Sequence, residues 1–335
     1  MRSLLALIAC VAVAGCDFTP ALDIDTPPHE ARAVLRGLLV ADSLAVVRVS
    51  RSADPFTGAP SRQVPTATDA TVTLVRAGAP ERLVLRPDTC FGDGYTTLDP
   101  VTGESVFVGE AYECGAFVGA TPLRPGETVT VRAEVPGLPV AEATVTIPAR
   151  PDLAATETPT AAGQPRRIEA RFPDSPAADR YYLSVLSPFI GFFSSGCTDG
   201  VCTDTSGVSP SGGFTNPVLL TTTDPVLIAN AIPDSDGYSF FVFADDAFRG
   251  GPRTVPFAVD PARRLQPGVT NAELAVRLAA ISQPLFEAYG QTRAAAVDRD
   301  FAFAEPLNGV TNVVGGYGLV GAAAIAEVRL PARTR

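Results

Sequence analysis

Cys16 is the residue whose type and setting point most directly to chemistry. A short positive start, Met1-Arg2-Ser3, precedes an apolar run, Leu4 to Ala14, that is too short to span a bilayer as a helix. Small residues then lead to the cysteine in Val13-Ala14-Gly15-Cys16. This order is typical of a lipoprotein signal, in which the thiol is acylated and residues 1–15 are removed. An ordinary secretory signal is the alternative.

Acylation of Cys16 predicts an exported protein that is held on a membrane by its acyl chains. Each buried methylene contributes about 0.8 kcal/mol, so several chains hold a protein where a single chain does not. No later stretch of the sequence is long and apolar enough to predict a transmembrane helix. Residues 16–30 are acidic and contain proline, and we expect them to act as a tether.

The remaining cysteines predict disulfides. Cys10 is lost with the signal, which leaves Cys90, Cys114, Cys197 and Cys202. An even number of thiols in an oxidising compartment favours structural disulfides. Proximity along the chain favours the pairs Cys90–Cys114 and Cys197–Cys202, although sequence alone leaves the connectivity open. Zinc is the alternative, but the spacing matches no zinc pattern and no histidine accompanies the thiols, so we predict no metal.

Motifs for catalysis or cofactor binding are weak. The chain has 1 histidine, His29, and it lies in the tether, where no scaffold orients it against a nucleophile. Gly316 to Gly321 spells GxGxxG, but a dinucleotide site needs a helix after that loop and an acidic residue further on. We interpret this segment as a glycine-rich turn and strand. We therefore predict no catalytic residues, no cofactor and a protein that is not an enzyme.

Two acidic pairs have structural interpretations as well. Asp234 and Asp236 resemble the start of a calcium loop, but the remaining ligands are missing, and a polar turn is favoured. Asp245 and Asp246 would act as paired carboxylates only in a defined cleft, so surface acids are the default interpretation.

Aromatic residues flank the second cysteine pair. Phe189, Phe192 and Phe193 precede it, and Phe214 follows it. Aromatic side chains beside a cross-linked loop can form a recognition surface, so these four residues are the candidate binding residues. A role in the core is the alternative.

Charge limits the classes of partner. The chain carries Lys+Arg 26 against Asp+Glu 36, a net charge of −10. Nucleic acid and anionic lipid both need a basic footprint, so we predict no nucleic-acid partner. The acyl anchor is the predicted contact with the membrane.

Alternating strands must position these residues. The segments Thr128 to Val135 and Ala143 to Ile147 place apolar side chains at every second position, between Pro, Gly and Asp turns. We predict a mainly β protein with two antiparallel β-sandwich domains, immunoglobulin/transthyretin-like and fibronectin-like, and one short helix in the second. The predicted domains span 31–150 and 166–335, with a linker at 151–165 and the helix at about 283–297 after Ser282 as N-cap.

Four stretches carry a resemblance to a known family. They are Leu22-Asp23-Ile24-Asp25, Val46 to Phe56, Phe243 to Gly250, and Glu305 to Ala322. The chain resembles the Bacteroidota outer-membrane lipoproteins grouped as domain-of-unknown-function family 4249, over nearly the whole mature length. The last stretch is the most specific of the four.

The resemblance implies a location and a partner, and it supplies no catalytic residues. It implies a lipid-anchored outer-membrane protein that accompanies a TonB-dependent receptor. We therefore expect a non-catalytic accessory or binding protein of the cell envelope. A surface adhesin or a structural envelope lipoprotein, using the same loops, is the alternative function.

Overall fold

The computed structural model describes residues 29–53, 65–98, 105–160, 164–193, 197–198, 201–202, 207–230, 240–259, 273–297 and 309–333. Two compact units divide the chain, and nearly all described residues belong to the unit formed by 31–52 and 61–335. Neither described helix is long and apolar enough to cross a membrane.

Strands dominate the described chain. In order they are β1 (Ala33–Val40), β2 (Leu44–Arg51), β3 (Thr71–Arg76), β4 (Ala79–Arg82), β5 (Val84–Leu98), β6 (Ser105–Pro122), β7 (Thr128–Glu134), β8 (Ala141–Thr146), β9 (Ala154–Thr158), β10 (Arg166–Phe172), β11 (Arg180–Phe193), β12 (Cys197–Thr198), β13 (Val201–Cys202), β14 (Gly207–Pro217), β15 (Leu220–Thr221), β16 (Phe240–Ala244), β17 (Arg253–Val259), β18 (Leu274–Ile281) and β19 (Tyr317–Leu330). The helices are α1 (Pro225–Asn230) and α2 (Gln283–Val297). The prediction of a mainly β, sandwich-like fold is confirmed.

A large sheet of nine strands forms one layer, and it follows the order β14-β11-β18-β19-β1-β2-β6-β5, with β16 also paired to β11. Two four-stranded sheets, β4-β3-β7-β8 and β15-β17-β10-β9, form the opposing layer. Alternation explains the layers, because the inward positions of β2 and β7 are buried and their neighbours are exposed.

Two cores fill the space between the layers. The first core contains side chains from the first half of the chain, among them Leu35, Val47 and Val131. The second core is aromatic, with Phe172, Tyr181 and Phe243 in mutual ring contact. Each core is closed by a different small sheet, so the described chain contains two sandwiches that share the large sheet.

The last strand belongs to both halves. The first part of β19 pairs in parallel with β1, from Val34 opposite Tyr317 to Val40 opposite Ala323. The second part pairs antiparallel with β18, from Ile281 opposite Ala323 to Leu274 opposite Leu330. The division into domains 31–150 and 166–335 stays a prediction. The pairing adds that β19, which this division places wholly in the second domain, contributes Val320, Ala322 and Ala324 to the first core.

Glycine permits the close approach of β19 to β1. Gly318 has a φ of +108°, and a Cβ atom there would overlap the backbone carbonyl of Leu35. Any larger residue must therefore push the two strands apart. The GxGxxG segment thus lies at the start of a strand, as its interpretation as a turn and strand requires.

Helix α2 occupies the segment for which the sequence predicts a helix, but Ser282 does not cap it with its side chain. The Ser282 hydroxyl accepts a hydrogen bond from the Ala322 amide at 2.9 Å, and the Ser282 amide donates to the Ala322 carbonyl at 2.9 Å. Ser282 therefore fastens the start of α2 to β19. The structure adds a second, short helix, α1, which Asp224 caps by accepting a hydrogen bond from the Val226 amide at 2.9 Å.

Candidate functional site: the open face of the large sheet

The structure places the predicted binding residues on one hairpin. Phe189, Phe192 and Phe193 lie on β11, and Phe214 lies on β14, where it pairs with Pro188. The backbone register brings the four residues to one hairpin. Their assignment as binding residues stays a prediction. Cys16 lies outside the described residues.

The four remaining cysteines lie on paired strands. Cys197 is directly opposite Cys202 on β12 and β13, a position with Cα atoms about 4.5 to 5.5 Å apart, within the range that a disulfide needs. Cys90 pairs with Tyr112 and Cys114 with Asp88, so Cys90 and Cys114 are diagonal neighbours on β5 and β6. Cys114 is disulfide-bonded, and Cys90 is its diagonal neighbour on the adjacent strand; the pairing of these two residues stays a prediction.

Asp245 and Asp246 lie in an ion-paired turn. The Arg249 guanidinium contacts a carboxylate oxygen of Asp245 at 3.2 Å and one of Asp246 at 2.6 Å. Burial raises the pKa of Asp245, but hydrogen bonds, first among them that from Arg249, outweigh it and leave the pKa below its usual value. Asp245 therefore stays ionised near neutral pH and is unsuited to donate a proton as a general acid.

A neighbouring carboxylate fixes the same turn. The Tyr181 hydroxyl donates to Asp174 at 2.6 Å, and the Gly250 amide donates to the other oxygen of Asp174 at 2.8 Å. Burial, together with Asp174, raises the pKa of Tyr181, which keeps the phenol protonated. These contacts hold the turn against the aromatic core, so the arrangement supports a structural role.

Among the described residues, no group of three or more His, Cys, Asp and Glu side chains is placed to hold a metal ion. The exposed residues best placed to contact a partner lie on the outer face of the large sheet.

Helix α2 covers only one half of the outer face of the large sheet. Leu285, Phe286 and Tyr289 pack with residues of β16, β18 and β19, including Val242 and Ile281. A Cβ atom at Gly321 would lie 3.1 Å from Leu285, and Gly321 pairs with Leu38 of β1. The outer face of β1, β2, β6 and β5 thus continues the face under α2, and no described element covers it. We call this region the open face.

An aliphatic row crosses the open face. Leu38 lies level with Val46, because Gly37 pairs with Val47 on the next strand. Val46 pairs with Val118, and Val118 pairs with Val84. The exposed fractions are 50% for Leu38, 43% for Val46 and 57% for Val84. Exposed apolar side chains that adjoin one another in this way are typical of a contact surface.

An arginine row runs beside the aliphatic row. Arg36 pairs with Arg48, and both are exposed. Arg86 is exposed on β5 and pairs with Ala116, the residue before the Phe117 that pairs with Val47. Arg48 and Arg86 therefore stand in one row on either side of β6. The open face combines an apolar stripe with three cations, which suits binding of another protein better than chemistry.

Sequence reasoning missed the open face, although a signal for it exists. Each of three strands carries an aliphatic residue and an arginine two positions apart: Arg36 and Leu38, Val46 and Arg48, Val84 and Arg86. Residues two apart share one face of a strand. The pattern predicts that the aliphatic residue and the arginine of each strand lie on the same face of the sheet. It does not show that this face is left uncovered.

Comparison with known families decides the relationship. The model of the domain of unknown function DUF4249 matches residues 19–329, nearly the whole chain. The chain belongs to the DUF4249 family. The resemblance expected from the sequence is confirmed at the level of the family. No curated protein matches this DUF4249 chain.

Proposed function

We propose that this DUF4249 protein is a lipid-anchored, non-catalytic accessory protein of the cell envelope that binds an outer-membrane TonB-dependent receptor. The observation that carries the proposal is the open face, where aliphatic side chains and arginines are exposed on a rigid sheet. Sheets hold such a surface in a fixed shape at little entropic cost on binding. The lipoprotein-like start of the sequence supports the location, and the family resemblance supports the choice of partner.

Acylation of Cys16 is the first expected result. Cells that express the protein and receive labelled fatty acid should incorporate label into the wild type and none into the Cys16→Ser variant, because the thiol is the acceptor. The Cys10→Ser variant is the matched control, since Cys10 precedes the cleavage position, and it should be labelled like the wild type. Equal labelling of the wild type and the Cys16→Ser variant would exclude the anchor.

Disulfides between Cys90 and Cys114 and between Cys197 and Cys202 are part of the same proposal, since an exported protein folds in an oxidising compartment. The direct cross-strand register supports Cys197–Cys202. The disulfide-bonded state of Cys114, with Cys90 as its diagonal neighbour, supports Cys90–Cys114. Peptide mapping without reduction should recover both pairs, and four free thiols would contradict them.

Retention of a receptor is the expected result that tests the function. Affinity purification of the lipidated protein from native membranes in mild detergent should retain one TonB-dependent receptor in a stoichiometric amount. Deleting residues 194–213 tests whether the predicted aromatic binding residues contribute, since the deletion removes β12, β13 and the first part of β14 from between Phe193 and Phe214. If no receptor is retained and strains lacking the protein lose surface attachment, the alternative function as an adhesin is favoured.

A further inference from the structure

We propose that the open face binds a protein surface that presents carboxylates beside an apolar centre, with Arg36, Arg48 and Arg86 contacting the carboxylates. The inference rests on the proposed function, because it names the contact surface and the partner chemistry of the same accessory protein. The occupant is therefore an acidic and partly apolar region of the envelope partner.

Arg36 and Arg48 carry the strongest evidence. They lie directly opposite each other on β1 and β2, and like charges at directly opposed positions destabilise a sheet. Neither guanidinium forms an ion pair within the described part of the chain. A carboxylate placed between them would offset this repulsion, and a guanidinium binds a carboxylate through two parallel N–H donors.

Charge around the pair makes the face locally positive. Arg86 continues the row across β6, also without an ion-pair partner among the described residues. Asp88, an exposed carboxylate two positions further along β5, is already engaged in an interaction. The chain as a whole carries a net charge of −10, so the arginine row opposes the overall charge. A patch of minority charge favours a partner of opposite sign at that patch.

The aliphatic row sets the rest of the partner chemistry. Leu38, Val46 and Val84 adjoin the arginines and are about half exposed. Protein interfaces commonly combine an apolar centre with arginine and a polar rim. The complementary surface should therefore present apolar side chains opposite the aliphatic row and Asp or Glu opposite the arginines.

Two other occupants fit the face less well. A second copy of this chain, docked through the same face by a two-fold axis, would bring the arginine rows towards each other. An anionic membrane would repel the net charge of −10 of the whole chain. A small protein contact is affected mainly by charges close to it, because charges beyond the Debye length, about 8 Å at physiological salt, are largely screened.

The decisive variant is Arg36→Ser with Arg48→Ser in the full-length lipidated protein. We expect receptor retention to weaken about tenfold, because two charge contacts are lost. Raising NaCl should weaken retention of the wild type and have little effect on the variant. The variant should unfold at the same or a higher temperature than the wild type, since it removes a repulsive pair.

The matched control is Arg167→Ser with Arg171→Ser, two exposed arginines of β10, and it should retain the receptor normally.

Each outcome has a separate meaning. If the wild type retains no receptor, the proposed function fails. If the wild type and the Arg36→Ser, Arg48→Ser variant retain the receptor equally, this inference fails and the proposed function stands. Vesicles of phosphatidylglycerol test the membrane, and sedimentation tests self-association. If the wild type binds the vesicles or forms a dimer, and the Arg36→Ser, Arg48→Ser variant does neither, the choice of an envelope partner protein is overturned.

A crosslinking experiment covers the case in which the double variant fails to fold. A photoreactive amino acid at Val46 should attach to a receptor segment that contains Asp or Glu, while the same amino acid at the exposed position Thr254 of β17 should not. A crosslink at Val46 to a segment without acidic residues, or no crosslink to a receptor that is retained, would contradict the inference.

Discussion

Replacing Gly318 with alanine should lower the free energy of unfolding by about 3 kcal/mol or more. The backbone there has a φ of +108°, and the new Cβ atom would overlap the carbonyl oxygen of Leu35, which belongs to the paired strand β1. A backbone atom cannot rotate away as a side chain can, so relief requires β1 and β19 to separate. Denaturant titration of the purified protein measures the loss.

Gly126 provides the matched control for this prediction. It also has a positive φ, +81°, but an added Cβ atom there meets nothing within 4 Å. Gly126→Ala should therefore cost only the backbone strain, about 1 to 2 kcal/mol. If the two variants lose equal stability, the close approach of β19 to β1 does not contribute, and the prediction is wrong.

Replacing Glu157 with alanine should also lower the free energy of unfolding by about 3 kcal/mol, because it removes a carboxylate that contacts the buried Arg166 guanidinium. The Arg166 side chain is 2% exposed, and its Nε lies 3.1 Å from a Glu157 oxygen. The other Glu157 oxygen accepts from Arg333, near the end of the chain. Glu169→Ala on the adjacent strand removes an exposed pair with Arg171 and should cost less than about 1 kcal/mol. Equal losses in the two variants would contradict the prediction.

The Glu157 contribution should depend on pH in a defined direction. Burial raises the pKa of Glu157, but hydrogen bonds from Arg166 and Arg333 and their charges outweigh it, so the pKa in the folded protein lies below its usual value. A lowered pKa adds stability above the unfolded value of about 4.3, and this stability is lost as pH falls through the folded pKa. The difference in unfolding free energy between wild type and Glu157→Gln should therefore shrink below about pH 4.

Local patterns in the sequence predict the strands well and their partners poorly. Alternation in Thr128 to Val135 predicts β7 and its buried face, because the period of two follows from the pleat. The pairing of β1 with β19 has no such signal, since alternation fixes which side chains share a face and leaves the neighbouring strand unspecified. The same limit explains why the sequence did not predict that the first sandwich includes Val320 and Ala322.

Two local features of the sequence predict structure that strand alternation does not. The order Asp224-Pro225 combines a preferred N-cap with a proline at the first helical position, and it predicts helix α1. The repeated spacing of aliphatic residue and arginine on β1, β2 and β5 predicts a mixed face. That the face is open depends on where α2 packs, and helix packing is decided by tertiary contacts.

The shared strand β19 also has a consequence for the order in which the protein can fold. The hydrogen bonds of β1 on one side are supplied by Tyr317–Ala323, so the first described strand to be synthesised completes its pairing only after one of the last has been made. Contacts between residues so distant in sequence slow folding, because the intervening chain must close as a loop first. A nascent chain that lacks its final segment should remain incompletely folded and protease-sensitive. The edge of β1 that faces β19 therefore stays unpaired until the final segment has been made, and an incompletely folded chain is easier to thread across a membrane than a folded one.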